Sequence, residues 1–290
     1  MPSLSARRDS MKGTTMYRNP AIAAELAAKY ADQFATLQAC IQLGDEYMAA
    51  TTKRTLDTAS EAVLNTIFTR MYNNLCAATI LLEDGYGVEA GMLTRALLEG
   101  FFNVCYIVNF RGCTIANKRE YDADTLAQRF INFQHADHFF AVENAKEAGA
   151  TLHDDEYEKA ERERQEYWDK EYGWGKRPPL DWSGLGWRQK ARYGGVEEVY
   201  VWLHRHFSEM VHGGPAAYRQ LIQEDDAGTG YYPGPQDILI DVPIPALGLL
   251  FSLAVQLIAE HIELPVMAER AGQVHDAVKH TFGIEVEDVP

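Results

Sequence analysis

The sequence predicts an all-α protein: a long antiparallel helical bundle with a charged peripheral helix. Apolar residues recur at helical spacing over most of the chain, strand-type alternation is almost absent, and Gly/Pro clusters separate the periodic segments. The 290 residues are 47% hydrophobic and 24% charged, a composition that can bury a sizeable core and lies far from the disorder regime.

Residues 1–18 are polar and aperiodic and read as a flexible tail, with 19–290 as a single domain. Asn19-Pro20 has the form of a helix N-cap followed by proline at the first helical position. Ile22, Leu26, Tyr30, Phe34, Leu37 and Ile41 then mark the stripe of one helix ending near Gly44 or Met48. A second helix is expected from about Ser60 to Glu83, stopped by Gly85 and Gly87, and a third from about Val88 to Phe110. The third is apolar nearly all round, which places it at the centre of the bundle. Asp122 or Asp124 caps a fourth helix reaching about Gly149. Residues 154–177 alternate in charge and predict a solvated helix with i,i+4 pairs, either projecting or packing by its aromatics alone.

A Trp/Gly/Ser-rich loop leads to a helix over Val196–Val211, closed by Gly213-Gly214-Pro215. A short helix is expected over Ala216–Glu224, a Gly/Pro-rich loop over 225–243, and a last helix from about Pro245 to His280 with a bend at Pro265. The window Ile244–Ile262 is the most apolar, but Pro245, Gln256 and Glu260 interrupt it, so a buried core helix is expected there and not a membrane span.

Against 42 Asp plus Glu stand 27 Lys plus Arg, a net charge of −15 that argues against a broad polyanion-binding surface and leaves only a local site. The excess is segregated: Asp225–Pro290 holds 11 acids and 2 bases, whereas Arg177–Glu224 holds 5 acids and 6 bases. Cys40, Cys76, Cys105 and Cys113 lack metal-ligand spacing and read as buried thiols. The opening MPSLSARRDSMKG has no apolar run behind its arginines, so a cytoplasmic location without a membrane partner is expected.

Two constellations could carry chemistry. On the third helix Arg95, Glu99 and Asn103 lie at successive turns of one face. A charged pair in so apolar a helix either fixes helix register or faces a polar site. On the Val196–Val211 helix, Arg205 and His212 are two turns apart with Ser208 and Glu209 between them. A guanidinium suits a phosphate and an imidazole can move a proton, the parts needed to cleave an RNA backbone without metal. The other reading makes both residues interhelical hydrogen-bond partners, for instance of Glu99. Between the constellations, Trp182, Trp187 and Tyr193 interleave with Arg188, Lys190 and Arg192, either a stacking surface for single-stranded RNA or a nucleotide or a solvated helix face.

A metal reading competes. Glu209-x-x-His212 with Glu99 resembles half of a di-iron carboxylate site, but no second Glu-x-x-His occurs, and His135-x-x-His138 is the only substitute. That histidine pair needs further ligands and reads as part of a polar face, so no cofactor or metal is expected. The loop Asp226–Pro235 lacks the residues of a phosphate-binding motif and reads as a lid or a disordered excursion.

The segment Leu93–Asn103, with Trp182–Gly184, Arg188 and Ser208–His212, resembles a bacterial all-α family of uncharacterised function marked by Arg-x3-Glu, Trp-Ser-Gly and Ser-x3-His, over roughly residues 60–220. That family is similar to HEPN proteins, whose ribonucleases carry Arg-x(4–6)-His on a helix. Arg205-His206, with six residues between Arg205 and His212, matches the pattern at its long limit. The resemblance implies a HEPN-like fold and a metal-independent ribonuclease of a defence or toxin–antitoxin system. Arg205 would grip the scissile phosphate and His212 act as acid or base, with His206, Ser208 and Glu209 orienting them and Arg95 and Glu99 lining the cleft. It also implies a homodimer acting on RNA or a nucleotide, with an antitoxin-like partner protein. The alternative is a non-catalytic helical binding protein whose Arg/Glu/His network is buried or forms a small-ligand pocket.

Overall fold

In the computed structural model, residues 18–110, 112–113, 120–151, 154–166, 181–212, 222–225, 228–231, 234–236 and 239–284 are described. The fold is all-α. Its helices are α1 (Pro20–Lys29), α2 (Ala31–Thr51), α3 (Ala59–Glu83), α4 (Gly87–Asn109), α5 (Ala123–Glu147), α6 (Asp154–Arg164), α7 (Trp187–Tyr193), α8 (Glu197–Val199), α9 (Arg205–Val211), α10 (Pro243–His261) and α11 (Pro265–Thr281). A π-helical turn, Tyr200–His204, joins α8 to α9. Two small antiparallel ribbons accompany them, β1 (Gly112–Cys113) with β2 (Glu120–Tyr121) and β3 (Ile222–Asp225) with β4 (Gly228–Tyr231).

The second ribbon replaces what the sequence suggested there. Ile222 to Asp225 form a strand where a short helix was expected to end, and the expected Gly/Pro loop contains β4. β-branched Ile222 and Thr229 and aromatic Tyr231 suit a strand, and the antiparallel register runs from Ile222 with Tyr231 to Asp225 with Gly228. The remainder of the expected Ala216–Glu224 helix, residues 216–221, together with Gly213-Gly214-Pro215, the tail before Arg18 and residues 167–177, lies outside the described residues. Arg18 itself donates from Nε to Asp84 Oδ1 at 2.9 Å.

The Cα positions group into two compact units, one of residues 1–54, 67–101 and 198–290, the other of residues 55–66 and 102–197. In the first, Asn19 Oδ1 accepts from the backbone N–H of Ala21 and Ile22, so the proline-led cap forms as expected. Tyr30 leaves helical dihedrals (φ −117°), so the expected single stripe is divided between α1 and α2. The core is α2 against the α10–α11 pair, with the Tyr47, Phe68 and Phe251 rings clustered at 4.2 and 5.8 Å. Gly44 leaves room for the Tyr72 ring, which occupies the place of a Cβ.

The bend expected at Pro265 is instead a full reversal. Close pairs Gly248/Val278, Ser252/His275 and Gln256/Gly272 show α10 and α11 running antiparallel. The turn is a Schellman closure, with Leu264 N–H bonded to Ala259 O at 2.8 Å and Glu263, not glycine, in the left-handed place at φ 59°. Pro265 then starts the next helix at N1. α4 and α10 are long and apolar enough to cross a membrane, but 61% and 67% of their apolar windows are buried inside the fold.

In the second unit Asp122 caps α5 through Thr125 N–H at 2.8 Å, and Ser60 N–H donates to Asp124 Oδ1 at 2.9 Å. The charged segment docks where α6 is described. Ala160 is buried with Phe139 and Val142 of α5, and Tyr157 and Phe140 flank them. Two cations cover the aromatics, Arg164 over Phe139 and Lys146 over Tyr157. Cys40 and Cys105 are buried thiols and Cys76 is half-buried, while the side chain of Cys113 lies outside the description. Burial pushes the Cys40 thiol up to about 12 and raises that of Cys105 as well, so both are inert at neutral pH.

Candidate functional site

The α9 helix seats against α4 because Gly91 has no side chain. Met210 Sδ stands where a Cβ would be, and Phe207 lies beside it. With Phe207 and Met210 buried at i,i+3, the rotation of α9 is fixed, and one turn along α4 Arg95 meets the polar residues of the facing helix. Arg95 Nη1 pairs with Glu99 Oε1 at 2.9 Å, Nε donates to Ser208 Oγ at 3.2 Å, and Nη2 donates to His204 Nε2. Arg95 is only 8% exposed, and its guanidinium is used on all three nitrogens.

Because Arg95 is always a donor, Nε2 of His204 must accept, which assigns the ring proton to Nδ1. Burial, and then the Arg95 charge, hold the His204 imidazole down at about 4, so it is neutral at physiological pH. The Tyr200 ring lies over it at 4.3 Å. His204 was not among the residues singled out from sequence. Its signal was present in the i,i+4 series His204, Ser208, His212, which competes with the Arg205, Glu209, His212 series on the same stretch.

Arg205 and His212 sit on the solvent side. The Arg205 side chain is 89% exposed and touches Glu209 Oε1 only at 3.7 Å, while His212, the C-cap residue, is exposed. They remain two turns apart on one side of α9, a rise of about 10 Å. His206 sets its ring edge-on to Phe207, and its buried Nε2 has no hydrogen-bond partner among the described residues. Arg95, Glu99 and Ser208 therefore come together, and Glu99 is engaged by Arg95, not by Arg205. Glu209 is turned to Arg205 and Glu99 to Arg95, so the two carboxylates do not converge with His212 on one centre.

The other expected residues build a second constellation around Lys190, which is completely buried. Its Nζ donates to Asp181 Oδ2 at 2.8 Å and to Asn103 Oδ1 at 2.9 Å, and lies 4.0 and 5.1 Å from the Trp187 and Trp182 ring centroids. Trp182 Nε1 donates to the same Asn103 oxygen at 3.3 Å. The loop that carries Trp182 is locked by its own side chains: Asp181 Oδ1 accepts from Ser183 N–H and Oγ, Ser183 Oγ accepts from Leu185 N–H, and Gly184 takes φ 71°. Trp182 is 4% exposed, with Phe130 edge-on at 5.4 Å, so it is a core residue and no platform for a base.

Arg188 and Arg192 both close on Glu197, with Nε contacts of 2.8 and 2.7 Å, and their hydrogen bonds hold that carboxyl down at about 2. The basic-aromatic segment is thus one buried ammonium and a two-arginine clamp, and among its aromatics Tyr193 is the exposed one at 41%.

No curated protein and no solved structure matches the chain. The Arg95/Glu99, Trp182–Gly184 and Ser208–His212 segments all fall within residues 61–229, which match the model of a family described as "Family of unknown function (DUF5677)". That match spans more than half of the 290 residues, and the chain belongs to this family.

Proposed function

We propose that the protein is a HEPN-like, cytoplasmic ribonuclease of a defence or toxin–antitoxin type that cleaves RNA without metal, using Arg205 and His212. One observation carries the reading: Arg205 and His212 are open to solvent on one side of α9, while Phe207 and Met210 hold its other side to α4. In this mechanism His212 takes the proton of a ribose 2′-hydroxyl, the resulting oxyanion attacks the adjacent phosphorus, and the 5′-oxygen leaves. Arg205 offsets the charge that builds on the phosphoryl oxygens.

His204 cannot serve as the general acid, because burial and Arg95 keep it unprotonated at neutral pH. His212 is then the exposed imidazole of α9, and the leaving oxygen needs a second proton source. A homodimer placing a second His212 nearby supplies it, and the exposed Val201 and Trp202 of the π-helical turn and Val211 of α9 are apolar surface for such a contact or for an antitoxin-like partner. Purified protein is expected to cleave single-stranded RNA in EDTA, with Arg205→Ala and His212→Ala each slowing it by about a hundredfold or more. Cleavage by both variants at the wild-type rate overturns the assignment.

A second reading rests on Arg95, whose guanidinium is closed by Glu99, His204 and Ser208. In a non-catalytic binding protein that network would be a rigid wall of a ligand pocket. Nucleotide binding by calorimetry, without turnover and unaffected by Arg205→Ala, would favour it.

A further inference from the structure

Trp202 is 79% exposed, more than any other large apolar side chain among the described residues. A fold ordinarily covers tryptophan, whose burial removes about 150–250 Å2 from water. The rest of this stretch obeys: Tyr200 lies over His204, and Phe207 and Met210 are buried. Trp202 stands in the π-helical turn, three residues before Arg205, so the two side chains are neighbours on the helix surface with a rise of no more than about 4.5 Å between them. His212 follows two turns beyond Arg205 on the same solvent side.

The surroundings fit a base better than a protein partner. Val201 beside it is exposed, but Val211 is nine residues further on, about two and a half turns, and so faces another direction. Two side chains cannot supply the roughly 800 Å2 per partner of a standard protein interface. The apolar step they form ends on a guanidinium that is itself open to solvent. An open indole face next to an open cation is what one nucleotide needs, a π surface for the base and a positive charge for its phosphate.

We propose that Trp202 is the stacking platform for an unpaired base of the RNA, that of a nucleotide whose phosphate Arg205 holds. The proposal rests on the reading of Arg205 and His212 as the cleavage pair and adds how the substrate is chosen. A base inside a duplex is already covered on both faces, so the indole selects single strands, and the wider rings of purines cover more of it than uracil does. Trp202 touches the substrate away from the reacting atoms, so its loss raises KM more than it lowers kcat.

A labelled 2′-O-methyl oligoadenylate, which has no 2′-hydroxyl to attack the phosphorus and stays intact, is titrated with the full chain and followed by fluorescence anisotropy. Trp202→Ala should weaken its binding by about tenfold or more, and Trp202→Phe should keep most of it. An oligouridylate of the same length should bind the wild type more weakly, with the difference lost in Trp202→Ala. The oligoadenylate in a duplex should bind weakly and independently of Trp202. The side chain is exposed, so the variants are expected to fold, and circular dichroism checks this. No binding by the wild type, or equal binding by the wild type and Trp202→Ala, overturns the proposal. So does a loss that comes with a change in sedimentation, which would give the indole to a protein contact. Trp202-dependent binding by a protein that cleaves no RNA sinks the cleavage reading alone, whereas cleavage that needs Arg205 and His212, with binding indifferent to Trp202, sinks the platform alone.

Discussion

Asp181→Asn is expected to be more damaging than Lys190→Met, although the two substitutions break the same ion pair. Asparagine keeps an acceptor for the Ser183 donors but leaves the Lys190 ammonium, which has no exposed surface, without its counter-charge. Stranding a buried charge in this way costs about 3–5 kcal/mol. Methionine keeps the aliphatic stem between Trp182 and Trp187 and strands a carboxylate that is 28% exposed and still accepts from Ser183. Water can reach that carboxylate, so the cost falls to about 2–3 kcal/mol. The double variant removes both charges, and its loss should be smaller than the sum of the single losses by about 1.5–3 kcal/mol. Urea unfolding of the four proteins, followed by tryptophan fluorescence and helical dichroism, measures the cycle. Additive losses, or Lys190→Met as the worse single variant, would show that the ammonium is not held as described.

Gly44→Ala pushes a methyl group into the Tyr72 ring and should cost about 1–3 kcal/mol in urea unfolding, whereas Tyr72→Ala in the same background should return part of that loss. The folded His204 imidazole sits near 4 against an ordinary 6.5, so the unfolded chain takes up the proton first. The stability His204 contributes is whole above pH 6.5 and drains as the pH falls toward 4. The full shift corresponds to about 3 kcal/mol, reduced to about 1–2 kcal/mol by solvent access. His204→Gln should flatten that part of the pH–stability curve, and an unchanged curve would contradict the burial of the ring. Glu263→Gly relieves a left-handed non-glycine residue and should raise stability by about 0.5–1 kcal/mol by thermal melting.

What was legible in the sequence follows the strength of local signals. α3, α4 and α5 begin and end within about two residues of expectation, because Asp122 is a strong cap and Gly85 and Gly149 supply the left-handed stops. The α10–α11 reversal was hidden because Glu263 occupies the position where glycine is the usual marker. The β3–β4 ribbon is a four-residue pairing whose Gly-rich strand carries almost no alternating pattern.

At the site, the i,i+4 spacing was enough to bring Arg95 and Glu99 together, and the seven-residue spacing put Arg205 and His212 on one side. It did not reveal that α4 meets the His204/Ser208 edge of the partner helix. That choice is made by Gly91 admitting Met210, a contact of residues far apart in the chain. Lys190 was misjudged for a similar reason. A lysine between arginines reads as solvated, and only the three-dimensional return of Asp181, Asn103 and two indoles makes burial affordable.

Sealing a primary amine so completely also makes it a reporter. Reagents that acylate lysines in water cannot reach the Lys190 nitrogen while Trp182, Trp187 and Asp181 enclose it. Its labelling rate, read residue by residue in a mass spectrometer and divided by the rate for a free lysine, therefore reports how much of the time this part of the chain is open. The same seal hides the position from any lysine-modifying enzyme in the native protein, so an acyl mark found at Lys190 would record a molecule that was modified while unfolded.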